Sequence, residues 1–258
     1  MNTLTNNDNS CNYIQQDDVP VVRLLAHPWS SKLGLGFSIG EIAAFDGEAA
    51  IAAIKLKGIY ASLEVDPYDP LRTRRRGYAQ GALFVDDNRT QVVFYKSLVH
   101  KQNDNVEFPS RPRVLPSIPL GNAFHPELTK MIEAAWRCCV PQELNAVAGF
   151  HWKAHMLRLQ PSENVPAQAT PPAPHKDDAC WVFVLVEDKQ NVIGGENTLY
   201  NNQKQPLASF TLSPGQYFAL DDRRFYHHVE ALYLKSGAEQ GYRDVLVIEL
   251  NTLTPSCL

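Results

Sequence analysis

The chain has 258 residues, 44% of them hydrophobic and 10% aromatic, which is enough to build a packed core. Its formal net charge of -4 lacks the basic excess that neutralises phosphates, so a nucleic-acid partner is not expected. No run reaches the roughly 20 apolar residues of a membrane helix. The polar start "MNTLTNNDNSCNYIQQDD" lacks the apolar stretch of a secretory leader, and the five cysteines form no disulfide ladder. A reducing cytoplasm and no membrane contact are expected.

In chain order, residues 1–18 are rich in Asn, Asp and Thr and read as a disordered tail. Residues 19–258 are expected to form one domain, helical or mixed over 19–146 with a β core over 147–252. "GEIAAFDGEAAIAAIKLKG" has helical composition between two glycines, one or two helices. "ALFVDDNRTQVVFYKSLVH" reads as two short strands about an Asp-Asp-Asn turn. "PELTKMIEAAWRCC" reads as a helix with Pro126 near its start and Cys138 and Cys139 as buried thiols near its end.

From about residue 147 the pattern changes. "FHWKAHMLRLQ" alternates, with His151, Lys153, His155, Leu157 and Leu159 on one side and Trp152, Ala154 and Met156 on the other. "CWVFVLV", "ENTLY", "ASFTL", "QYFAL", "HHVEALYL" and "RDVLVIEL" follow, separated by turn residues. Strands at this spacing without intervening helices indicate a mainly β fold, a double-stranded β-helix of the jelly-roll or cupin-like kind supported by helices.

His175 and Asp177 lie one residue apart at the mouth of an apolar strand. In extended backbone, positions i and i+2 share a side, so an imidazole and a carboxylate can reach one ion together. His227 or His228, late in the core, can supply a third ligand. Two imidazoles and one carboxylate with open positions opposite suit non-haem Fe(II). Arg243 offers a planar fork for a carboxylate. A zinc or manganese enzyme on the same barrel, or a ligand-binding cup, would use similar ligands.

The segments "LEVDPYDPLRTRRRGYA", "PHKDD", "GGENTLY", "DDRRFYHHV" and "GYRDVLVIEL" resemble the bacterial 2-oxoglutarate and Fe(II)-dependent dioxygenases that include L-isoleucine dioxygenase, the free amino acid hydroxylases. The resemblance runs from about Leu63 to Leu250. It implies His175, Asp177 and His227 as iron ligands and Arg243 on the remote carboxylate of 2-oxoglutarate. It further implies O2 as co-substrate, and a small free L-amino acid hydroxylated at an unactivated C–H. This chain departs from the family pattern with Lys176 and Asp178 around Asp177. Asp178 is expected either against a substrate cation or as a solvated loop residue. Glu196 after the Gly-Gly turn and His155 on its strand are further substrate-side candidates. In "RTRRR" the candidate is Arg74, set against structural ion pairs with Asp66 or Asp69.

Overall fold

The computed structural model describes residues 22–23, 36–86, 89–102, 111–119, 121, 124–141, 149–169 and 173–253. The expected tail over 1–18 lies outside these residues. Ten strands and two helices position the site: β1 (Phe37–Glu41), α1 (Gly47–Leu56), β2 (Arg74–Asp86), β3 (Arg89–Phe94), α2 (His125–Cys139), β4 (Gly149–Leu159), β5 (Trp181–Gln190), β6 (Glu196–Tyr200), β7 (Pro206–Thr211), β8 (Gln216–Asp221), β9 (Tyr226–Val229) and β10 (Tyr242–Thr252).

The larger sheet runs β1-β8-β5-β10-β4-β2, with β3 paired to β2, and every one of these pairings is antiparallel. The smaller sheet runs β7-β6-β9, with Val22–Arg23 added beside β7. Facing sheets of this kind, wound from successive short strands, make the expected double-stranded β-helix core.

The alternation in the sequence sorts side chains onto the two faces of the larger sheet. Trp152, Ala154 and Met156 of β4, Trp181, Phe183 and Leu185 of β5, and Leu246, Ile248 and Leu250 of β10 share a core with the helices. The next residues along each strand, such as Val182 and Val186, turn inward to meet Leu199, Phe210 and Phe218 between the sheets. The site belongs to this second face.

The helices seal the outer face. Ala49, Ala52, Ala53 and Leu56 of α1 are buried at the i, i+3, i+4, i+7 spacing of one helical stripe, and Asp46 caps it by accepting the N–H groups of Glu48 and Ala49 at 3.0 Å each. On α2 the same stripe holds Leu128, Met131, Ile132, Ala135, Cys138 and Cys139. Both cysteines are buried, as expected, and α2 ends before Pro141, whose ring disfavours helical backbone in the residue before it.

Two elements depart from the sequence reading. β2 begins at Arg74, eight residues before the expected hairpin strand, and pairs along β4 from Arg74↔Leu159 to Phe84↔Gly149. Its inward positions are Arg74, Arg76, Tyr78 and Gln80, whose polarity hides the alternation that marks a half-buried strand. β1 is a five-residue edge strand, too short and too mixed in "FSIGE" to register as a period.

Candidate metal centre

His175 sits outside the named strands, yet an isolated antiparallel bridge ties it to His227: each donates its backbone N–H to the other's carbonyl, at 3.0 and 2.9 Å. The bridge brings the two rings to 4.5 Å between centroids. Asp177, one residue beyond Lys176, sets its carboxylate between them, with Oδ1 3.6 Å from His175 Nε2 and Oδ2 3.2 Å from His227 Nε2. Ligand atoms of all three residues lie within 4.8 Å of one another. Two imidazole nitrogens and a carboxylate at this spacing fit a single divalent ion with coordination positions left over.

Burial pushes the Asp177 carboxyl up, but His227 and His175 outweigh it and hold the group well below the usual carboxylate range. Burial holds His227 below its ordinary value, which favours the neutral ring with a lone pair to offer, while at His175 burial is outweighed by Asp177 and the value rises. His228 is the neighbour on β9 and faces away: His227 pairs with Leu199 and His228 with Thr198 across β6, and only Leu199 and His227 of these line the site cavity.

That cavity opens between the sheets and is walled by Leu157, Val184, Leu199, Phe218, Val245 and Val247. Its polar groups are Asp177, His227, Asn197 and Arg243. Arg243 is 2% exposed, and its one hydrogen bond among the described residues runs from Nη1 to the Gly195 carbonyl at 3.3 Å. No carboxylate pairs with it among the described residues, and burial alone drives its pKa down to about 10. A guanidinium desolvated in this way without a counter-charge fits an anionic group of a ligand in the cavity.

The other sequence candidates fall elsewhere. Arg74 is spent on structure: its Nε is 2.8 Å from Asp66 Oδ2 and its Nη1 donates to the carbonyls of Gln168 and Ala169, each at 3.2 Å. Asp178 is exposed and takes a left-handed conformation, φ 60°, immediately after Asp177. Glu196 alternates with Asn197 along β6, and it is Asn197 that reaches the cavity. Cys180 packs at the edge of the helical core, away from the ligands. Lys176 turns outward, donating to the Arg223 carbonyl at 2.6 Å.

His155 belongs to a second buried cluster on the inward face. His100, His155 and Glu249 also bring ligand atoms within 4.8 Å. Cations already occupy that cluster: Lys153 Nζ is 2.8 Å from Glu249 Oε2, and Arg76 Nη1 is 3.3 Å from His155 Nδ1. A metal ion there would be repelled by both, so the cluster reads as a charge network. Sequence reasoning missed Gln102, which donates to the carbonyl and Oδ1 of Asp177 at 3.3 Å each, and Asp222, which accepts the Asp177 N–H at 2.8 Å. Asp222 lies inside the quoted "DDRRFYHHV", in the turn just after β8, but nothing local marks it or Gln102 as partners of Asp177.

Residues 57–249 match the family model of the 2OG-Fe dioxygenases. The chain belongs to the 2OG-Fe dioxygenase family. Members are 2-oxoglutarate-dependent iron enzymes that use Fe(II), 2-oxoglutarate and O2. Among its relatives is the 3(1)-hydroxy-L-isoleucine 4-dioxygenase of Pantoea ananatis, 26% identical over 160 residues, which make up 58% of this chain and 61% of that one. The matched stretch therefore spans less than two thirds of that relative. Two solved structures share the dioxygenase fold. The IDO from Bacillus thuringiensis has a TM-score of 0.64 and 19% identity, covering 85% of this chain and 91% of that one. A bsmA homolog from Methylobium petroleophilum PM1 has a TM-score of 0.67 and 20% identity, covering 85% and 90%.

Proposed function

We propose that His175, Asp177 and His227 hold Fe(II), that Arg243 binds the remote carboxylate of 2-oxoglutarate, and that the enzyme hydroxylates an unactivated C–H of a small free L-amino acid or close derivative. The observation that carries this reading is a cavity that Asp177, His227 and Arg243 all line, with no carboxylate pairing Arg243 among the described residues. The amino-acid substrate is supported by the relative from Pantoea ananatis, whose name describes action on a hydroxylated isoleucine.

Iron with its co-substrates supplies the oxidising power: one oxygen atom of O2 enters the C–H bond, the other enters succinate, and 2-oxoglutarate loses CO2. The chain supplies placement. Arg243 neutralises and orients the remote carboxylate inside an apolar sleeve of Leu157, Val245 and Val247, where water cannot compete for the fork. The reciprocal His175–His227 backbone bridge holds two ligands in register before any ion arrives, and Gln102 steadies the Asp177 carboxylate from the far side. The free thiols of Cys138, Cys139 and Cys180 accord with a reducing cytoplasm as the place where Fe(II) persists.

The test is anaerobic reconstitution with Fe(II), followed by O2-dependent succinate release across free L-amino acids and their hydroxylated relatives, with mass detection of products gaining one oxygen. Succinate stimulated by one amino acid, with a matching oxygenated product, is the expected result. Iron and 2-oxoglutarate binding without stimulation by any of them would refute the free amino acid and point to a larger or carrier-bound substrate. The Asp177→Ala variant is expected to fold and to release no substrate-stimulated succinate.

A further inference from the structure

One buried carboxylate touches both ligand-bearing segments without being a ligand itself. We propose that Asp222 is a positioning residue that fixes the orientation and tautomer of His227 and clamps the loop carrying Asp177. This rests on the ligand assignment above.

Asp222 is 1% exposed, and its two oxygens face different segments. Oδ2 accepts the backbone N–H of Asp177 at 2.8 Å and that of Ala179 at 3.3 Å, spanning the left-handed turn at Asp178. Oδ1 lies 3.5 Å from His227 Nδ1. Both of these last atoms are buried and have no hydrogen-bond partner among the described residues, so each is the nearest polar group on hand for the other to close onto. Its own N–H donates to the Cys180 carbonyl at 3.1 Å, which closes the loop onto the end of β8. The neighbouring Asp221 is turned the other way, into an ion pair with Arg223 at 2.9 Å.

The chemistry follows from which ring nitrogen carries the proton. An imidazole ligates through one nitrogen, and the hydrogen bond made by the other decides which one is free. When ionised, Asp222 accepts, which selects the form with the proton on Nδ1 and leaves the Nε2 lone pair of His227 facing Asp177. In Asp222→Asn the amide oxygen can still accept the two backbone N–H groups, which turns the amide NH2 toward Nδ1. That group donates, so it favours the proton on Nε2, the form that cannot ligate. Asp222→Ala loses the clamp as well.

The two roles separate in a titration of Co(II) alone, without 2-oxoglutarate or substrate, read by equilibrium dialysis and by the ligand-field absorption of the bound ion. Thermal melting of the metal-free proteins is measured alongside. Asp222→Asn is expected to bind Co(II) about 10- to 100-fold more weakly while its metal-free melting stays at the wild-type value. Asp222→Ala is expected to weaken binding at least as much and to melt earlier. Asp222→Glu, which keeps an acceptor, is expected to recover part of the affinity. Co(II) affinity in Asp222→Asn within twofold of wild type overturns the positioning role even if Asp222→Ala fails to fold. Wild-type protein that binds no Co(II) removes the ligand assignment itself, and this proposal with it.

Discussion

Glu249 is a buried carboxylate whose ionisation is set by the cations around it. Burial pushes its carboxyl up, but Lys153 and His155 outweigh that and hold it at about 2, against an ordinary value of 4.5. Because the folded value is the lower one, the stabilisation is complete above pH 4.5 and is lost as pH falls through about 2. A shift of that size corresponds to about 3 kcal/mol, in line with the roughly 3–5 kcal/mol cost of breaking a buried pair. Glu249→Gln is therefore expected to lower unfolding free energy by that order at pH 6. The gap to wild type should narrow on acidification toward pH 3, as read by urea denaturation. A gap independent of pH would mean that packing, rather than charge, sets the cost. Arg243 is the converse case, a buried charge with no carboxylate beside it among the described residues, which the proposed function pairs with 2-oxoglutarate. Arg243→Ala is expected to raise the KM for 2-oxoglutarate steeply, and Arg243→Lys to restore little, because an ammonium lacks the two parallel donors.

Among the elements, the turn leading into β6 carries a constraint that its sequence only hints at. Gly195 has φ 73°, and a Cβ there would stand 2.6 Å from Arg243 Nη1 and 2.9 Å from the Leu232 side chain. Gly195→Ala is expected to cost about 1 kcal/mol in stability from the left-handed backbone and to displace the guanidinium. The KM for 2-oxoglutarate should then rise while metal affinity holds, and an unchanged KM would show that Arg243 adapts freely. The Gly-Gly pair was legible as a turn, but its closeness to Arg243 was not, since the two are brought together only when β6 folds over β10. The same limit explains β2. Arginines at positions 74 and 76 look like surface residues until Asp66, within 2.8 Å of both, shows that they are buried partners.

For the whole molecule, the proposed ligands His175, Asp177 and His227 lie on segments other than β10, which carries Arg243, so under that proposal metal and co-substrate binding should separate. Mn(II) and 2-oxoglutarate, each at about 100 times its dissociation constant, are expected to add roughly 2.7 kcal/mol apiece to unfolding free energy. In Arg243→Ala the 2-oxoglutarate increment should vanish while the Mn(II) increment persists, a result that calorimetry or thermal shift can read. Loss of both together would mean that Arg243 holds the metal site in shape. The sequence by itself determined the β class, the helices α1 and α2, and a His-x-Asp pair awaiting a late histidine, because composition, periodicity and local spacing are properties of neighbouring residues. The resemblance had already named His227 over His228; only the tertiary structure decided that Arg243 is buried with no carboxylate partner among the described residues, that Arg74 is committed to Asp66, and that Asp222 and Gln102 stand behind Asp177. Those facts depend on strand register and on which side chains long-range pairing brings into contact, and no local pattern encodes either.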